Sequence, residues 1–185
     1  MAEGAGRPGG LSGVDFRLDP ELDEAATRRL VDVWVDVSNA RGAVGFAPPP
    51  PEVTRDDVAL VAASALRSVQ EGRDHLVVAY DGETIVGFAF LEHRPGPLFR
   101  HWATVKRLQV HPAEQGRGIG RQLLRACHEH ARELGIEALH LTVRGGTGTE
   151  SFYEDEGYET VATIPQAIRL SADDTRDELY MVKRL

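Results

Sequence analysis

Leu108-Gln-Val-His-Pro-Ala-Glu-Gln-Gly-Arg-Gly-Ile-Gly-Arg-Gln-Leu-Leu124 is the stretch that decides the fold. An apolar strand closes at His111-Pro112, a short loop follows, and Gln115-Gly116-Arg117-Gly118-Ile119-Gly120 opens a helix. This order gathers free backbone N–H groups, a positive helix end and little side-chain bulk at one point, which suits a pyrophosphate. Glycine permits close backbone approach and positive φ. Arg117 and Arg121 add charge beside it. A plain helix-start turn would use the same glycines, so the strand before and the amphipathic helix after carry the argument. The Lys-Ser/Thr ending of a nucleoside-triphosphate loop is absent. The glycine spacing also differs from the Gly-x-Gly-x-x-Gly of dinucleotide folds and falls past the middle of the chain.

The chain has 185 residues, 42% hydrophobic and 27% charged, which describes an ordinary globular domain. Its net charge of −8 argues against nucleic acid as a general partner. The local basic cluster Arg117, Arg121 and Arg125 fits one small anionic cofactor better than a polymer. No apolar run approaches a membrane span, and the start carries no signal-peptide pattern. One cysteine, Cys127, forbids an intrachain disulfide and points to a reducing cytoplasm. Its place on an apolar helix stripe predicts a buried small hydrophobe. No Cys/His cluster has metal-ligand spacing; His128-Glu129-His130 are adjacent and do not face one another.

Residues 1–12 are glycine-rich and predict a disordered tail ahead of one domain over 13–185. Val14 to Leu18 alternates as a strand. Leu22 to Asn39 has helical spacing at Leu30, Val33, Trp34 and Val37. Pro48 to Pro51 makes a stiff loop. Thr54 with Asp57 starts a second helix that ends near Gly72. His75 to Tyr80 and Thr84 to Glu92 flank Asp81-Gly82 as a hairpin. Trp102 to Val110 is the next strand. Gly118 to Leu134 is the long helix, with Ile119, Leu123, Leu124, Cys127, Ala131 and Leu134 on one face and Gly135 closing it. Ala138 to Val143, a short helix with Phe152-Tyr153, and strands Tyr158 to Ile164 and Glu178 to Lys183 complete the order. The expected fold is a mixed α/β sheet with helices on both faces.

Gln115, Gly118 and Gly120, as Gln-x-x-Gly-x-Gly, resemble the acetyl-CoA loop of the GNAT N-acetyltransferases. Phe152-Tyr153-Glu154-Asp155-Glu156-Gly157-Tyr158 is similar to the family's Phe-Tyr-x-x-x-Gly-Phe element. A narrower likeness is to the branch that includes the tabtoxin-resistance acetyltransferase. It rests on Val44-Gly45-Phe46 before the prolines, Val105 to Val110, the run from His140 to Tyr153, and the segment Ala167 to Tyr180. The resemblance implies the GNAT fold and acetyl-CoA-dependent acetylation of a primary amine on a small molecule, by direct transfer. Homodimers are frequent in this fold, so a homodimer joins the expected partners. A protein or peptide N-acetyltransferase, or a non-catalytic CoA-binding module, are the alternatives.

The resemblance further implies that Gln115, Gly116, Arg117, Gly118, Ile119, Gly120 and Arg121 bind the pyrophosphate. It implies that Leu108, Gln109 and Val110 pair by main chain with the pantetheine arm, and that an N–H near Val110 polarises the thioester carbonyl. Tyr153 is the expected general acid, since a phenol near pKa 10 outlasts a thiol near 8.5. Where relatives carry carboxylates this chain has Thr104 and Thr142, and the family's asparagine is Gly146. The base therefore stays open between a water chain, an acceptor of low pKa, and Glu92, His93 or His101. The missing acids weaken the expectation of a polycationic acceptor. Asp173, Asp174 and Asp177 read as a solvated acidic loop.

Overall fold

The computed structural model describes residues 13–46 and 51–185. The expected tail 1–12 and residues 48–50 of the proline loop lie outside the described residues. The elements run β1 (Val14–Leu18), α1 (Glu24–Asn39), α2 (Arg55–Gln70), β2 (Asp74–Asp81), β3 (Thr84–His93), β4 (Trp102–Val110), α3 (Ile119–Glu133), β5 (Ala138–Arg144), α4 (Thr149–Asp155), β6 (Glu159–Arg169) and β7 (Thr175–Arg184). Single 3-10 turns precede β4 and α3. The strands form one sheet in the order β1-β2-β3-β4-β5-β7-β6. Every pairing is antiparallel except β4 with β5.

Caps and periodicity explain the helices. The Asp23 carboxylate accepts from the Ala26 N–H at 2.7 Å and starts α1. Thr54 and Asp57 form a reciprocal capping box at α2. Leu30, Val33, Trp34 and Val37 are buried on one stripe of α1. They cover one sheet face with Val58 and Ala62 of α2, against Leu76, Val78, Phe88 and Phe90. Trp34 donates its indole N–H to the Val44 carbonyl at 2.9 Å and meets Phe88 edge-on at 5.8 Å.

The other face is covered by α3, through Ile119, Leu123, Leu124, Cys127 and Ala131. The expected stripe holds except at Leu134, which is 39% exposed. The helix has already ended there. Gly135, at φ +75°, donates to the Arg132 carbonyl, and Ile136 donates to Ala131. That left-handed closure turns the chain away. β6 is longer than expected. Its register jumps between Ile164 and Ile168, so Pro165 and Gln166 (φ +55°) are absorbed as a bulge and do not end the strand.

The site is set by β4. Its register against β3 moves from Phe90–Lys106 to Phe88–Gln109, leaving one extra residue on β4. Arg107, at φ +53°, takes up that extra residue as a bulge. On its other edge β4 pairs with β5 only from Trp102 to Thr104. Beyond Thr104 the two parallel strands part and open a wedge in the sheet.

Candidate active site

The wedge holds a cavity of about 1650 Å³. One wall is the β4 edge from Thr104 to Val110, its upper end the loop Gln115 to Gly120, and its far wall β5, α4, β6 and β7. The His111 N–H donates to the Val86 carbonyl at 2.8 Å. That bond makes Gly87 and Val110 a non-hydrogen-bonded pair. The N–H and carbonyl of Val110 therefore turn away from β3, towards the wedge. The Gln115 side chain donates to that carbonyl at 2.9 Å, and the N–H remains for a bound molecule.

Gly116 and Gly118 both sit at φ +78°. A Cβ at either would meet nothing within 4 Å, so the backbone angle and not crowding calls for glycine. Gly118 is the N-cap of α3 and offers no capping side chain. The first N–H groups of α3 are thus left for a ligand at the positive helix end. Gly120 has an ordinary helical φ.

The arginines depart from expectation. Arg117 is paired with Asp81 at 3.0 Å and with Glu114, and its side chain does not line the cavity. Arg121, which does line it, is held by Asp155 at 3.1 Å and Glu156 at 3.0 Å. Arg125 takes Glu156 at 2.9 Å. The hydrogen bond from Arg125 leads in holding the Glu156 carboxyl below the usual range, against the effect of burial. The expected free basic cluster is instead neutralised by carboxylates, most of them remote in sequence. Ile119 is also turned into the core, at 1% exposure. Loop binding of an anion therefore falls to backbone N–H groups more than to side-chain charge.

Leu108 is half-buried, and Gln109 and Val110 are buried. Both polar atoms of the Gln109 amide are buried without a hydrogen-bond partner among the described residues. An unmet buried amide is costly, and this one belongs to a residue lining the cavity. The unpaired β4 edge, the open loop and this amide fit an extended polar ligand along the strand.

Tyr153 lines the cavity from α4, edge-on to Phe152 at 5.0 Å and to Tyr158 at 5.7 Å. Burial pushes its phenol up to about 12. Phe152 is half-buried, packs against the core and also lines the cavity. Cys127 is fully buried beneath, its thiol pushed up to about 12 by burial, which leaves it no nucleophile.

Thr104 and Thr142 both line the cavity. Glu92, His93 and His101 do not. Glu92 is occupied by Lys106 at 2.5 Å and Arg107 at 2.9 Å. His93 packs on His75 at 5.5 Å. His140, not considered from the sequence, pairs with Thr104 across the end of the wedge and lines the cavity. It stacks on Tyr180 at 5.5 Å, whose hydroxyl donates to Glu178 at 3.1 Å. Burial, with Arg94 adding, lowers the His140 pKa. The signal was present in β5: Leu139, Leu141 and Val143 face the core, so His140, Thr142 and Arg144 share the opposite face.

Residues 72–160 match the family model described as an acetyltransferase (GNAT) domain. The chain is similar to N-alpha-acetyltransferase RimI of Mycobacterium tuberculosis, 35% identical over 111 residues, covering 58% of this chain and 66% of that protein. It is similar to the mycothiol acetyltransferase of Amycolatopsis mediterranei, 44% identical over 69 residues, 37% of this chain and 22% of that protein. The chain spans 22% and 28% of the two mycothiol acetyltransferases it matches. Among solved structures, yncA of Salmonella typhimurium, with its cofactor acetyl-CoA, superposes with a TM-score of 0.74 at 20% identity, covering 94% of this chain and 95% of that one. A ribosomal-protein-alanine N-acetyltransferase from Brucella melitensis gives 0.72 at 23%, covering 92% and 99%. The architecture is the GNAT fold.

Proposed function

We propose that this chain, which carries a GNAT acetyltransferase domain, moves an acetyl group from acetyl-CoA to the primary amine of a small molecule in a ternary complex. The wedge carries the reading: a bare strand edge ends at an unsatisfied helix N-terminus, with a buried phenol and an imidazole on the opposite wall. Backbone N–H groups of Gln115 to Arg121 receive the pyrophosphate. Leu108 to Val110 pair with the pantetheine arm as with an added strand. The Val110 N–H polarises the thioester carbonyl.

His140 removes the proton from the acceptor ammonium. Among the described lining residues it is the one group that is neutral and basic near pH 7, since the others that titrate are Lys, Arg and Tyr. The amine nitrogen then attacks the carbonyl carbon, the N–C bond forms and the C–S bond breaks. Tyr153, protonated far above neutrality, gives its proton to the departing thiolate, and the second proton shed by the acylated nitrogen restores the phenol.

The likeness to RimI supports a second reading, in which the acceptor amine is a protein N-terminus. The narrower resemblance to the tabtoxin-resistance branch favours the small amine, and the missing carboxylates at Thr104 and Thr142 disfavour a polycationic one. An acetyl-CoA donor and a buried lone thiol support a cytoplasmic setting. The outer strand β6, with Val161 61% and Ile164 45% exposed, supports a homodimer.

Calorimetry with acetyl-CoA, then free-thiol release with small amines and short peptides, tests the reading. Binding with release for a small amine is expected. Release for peptides alone selects the second reading, and binding with no release for any acceptor leaves a CoA-binding module. No binding overturns the site.

A further inference from the structure

Among the described residues, six cationic side chains, Arg94, Lys106, Arg107, Arg121, Arg144 and Arg169, line the cavity, and no carboxylate does. The chain as a whole has a net charge of −8, so this single-signed lining runs against its composition. Three of the six are occupied. Glu92 holds Lys106 and Arg107, and Asp155 with Glu156 holds Arg121. Arg94, Arg144 and Arg169 form no ion pair among the described residues. Arg94 lies over the Phe99 ring at 3.9 Å.

Arg144 is half-buried, and its Nε has no hydrogen-bond partner among the described residues. The acids closest to this end are committed elsewhere. Asp174 binds Arg176 at 2.5 Å, and Glu178 accepts from Tyr180. Arg144 ends β5 opposite Glu178 of β7, and Arg169 ends β6 opposite Thr175 of β7. The two guanidinium groups therefore come from the same end of the sheet, where β7 enters, while Arg94 follows β3 at the other end. Asp174 acts on Arg144 only at a distance, and burial lowers the Arg144 pKa. A half-buried guanidinium with no ion pair and an unpartnered Nε is unfavourable until a counter-charge arrives. A concave, one-signed wall also concentrates anions and repels cations.

We propose, on the reading that acetyl transfer occurs in this wedge, that the acceptor is a small primary amine that also bears a carboxylate or phosphoryl group, held by Arg144 and Arg169. The planar guanidinium forks match such an anion in two-point contacts. Arg94 adds field without a direct contact. Polyamines and aminoglycoside-like polycations are excluded by the same charge.

The test is a matched series: ω-amino carboxylates of two to six carbons, with the n-alkylamine and the α,ω-diamine of each length, assayed by thiol release from acetyl-CoA. At the best length the amino carboxylate is expected to exceed the alkylamine in kcat/KM by about tenfold or more, and the diamine by more still. Arg144→Gln and Arg169→Gln are expected each to raise the KM of the amino carboxylate about tenfold and collapse its preference, with the acetyl-CoA KM unchanged. Equal turnover of the three classes, preference for the diamine, or a rise in the acetyl-CoA KM overturns the proposal. Calorimetry of glutarate with the CoA-saturated protein reads the anion site without turnover. Glutarate binding that is lost in the Arg144→Gln, Arg169→Gln double variant supports the site even if no amine releases thiol, an outcome that removes only the transfer reading. Absence of glutarate binding overturns the anion site.

Discussion

Thr104 and His140 are the last residues at which β4 and β5 pair. Above them the sheet parts, and the wedge that results holds the unpaired edge of β4, the loop backbone and Tyr153 around one volume. His140 thus stands at the floor of the cavity, where the strands still hold it rigidly, and beside the threonine that replaces an expected acid. Tyr180 packs on its ring and fixes its plane.

Replacing His140 by Gln tests the base. The neutral imidazole is the proposed proton acceptor, and burial lowers its folded pKa below the ordinary 6.5. The acid limb of kcat/KM is therefore expected below pH 6.5. His140→Gln is expected to lose about a hundredfold in kcat, together with that limb. An unchanged limb in the variant removes His140 from the mechanism.

Tyr153→Phe keeps the ring that packs on Phe152 and Tyr158 and deletes only the hydroxyl. A fall in kcat of roughly tenfold to a hundredfold is expected, with acetyl-CoA affinity nearly constant. The phenol stays protonated up to about 12, so no basic limb from its ionisation is expected below pH 10. Wild-type turnover in the variant discards the acid role.

Gly118 separates strain from charge. A Cβ finds open space there, yet φ is +78°, so Gly118→Ala is expected to cost about 1 kcal/mol of stability through the left-handed backbone alone. Gly118→Asp adds a carboxylate at the helix end proposed to meet the phosphates. Its acetyl-CoA Kd is expected to rise at least about tenfold beyond that of the Ala variant. Equal affinities in the two variants, measured by calorimetry, sink the loop assignment.

The order of the elements was legible because each carries a local signal: the capping box at Thr54, the stripe on α3, the Asp81-Gly82 turn. The loop's left-handed backbone was legible too, since glycines at 116 and 118 both sit at φ +78°. What local pattern hid was everything made by distant chain segments meeting. Arg117 finds Asp81, 36 positions away, and Arg125 finds Glu156, so side chains read as cofactor ligands are ion-paired. The bulge at Arg107 leaves no mark in composition, yet it falls on β4 just beyond the point where its pairing with β5 ends. His140 could have been read from the alternation of β5, but only once the wedge showed which face mattered.

His128 supplies a prediction about stability. It is 4% exposed, and its Nε2 lies 3.2 Å from the Tyr158 hydroxyl. Burial, with Lys183 and Arg132 adding, lowers its pKa to about 4. Between pH 6.5 and about 4 the unfolded chain binds a proton that the folded one refuses, so stability falls as pH falls through that window. The loss is at most about 1.4 kcal/mol per pH unit for this group, or roughly 3 kcal/mol across the window. Glu156, whose folded pKa is lowered, adds the same direction of loss only further down, as pH falls below the ordinary carboxylate value. His93 and His140 are also lowered and contribute part of the slope above it. Thermal unfolding from pH 7 to 4.5 is therefore expected to show Tm falling steeply in the wild type and distinctly less in His128→Gln, which keeps a hydrogen-bonding group for Tyr158. Equal slopes in the two proteins would show that His128 accepts its proton without opening the core.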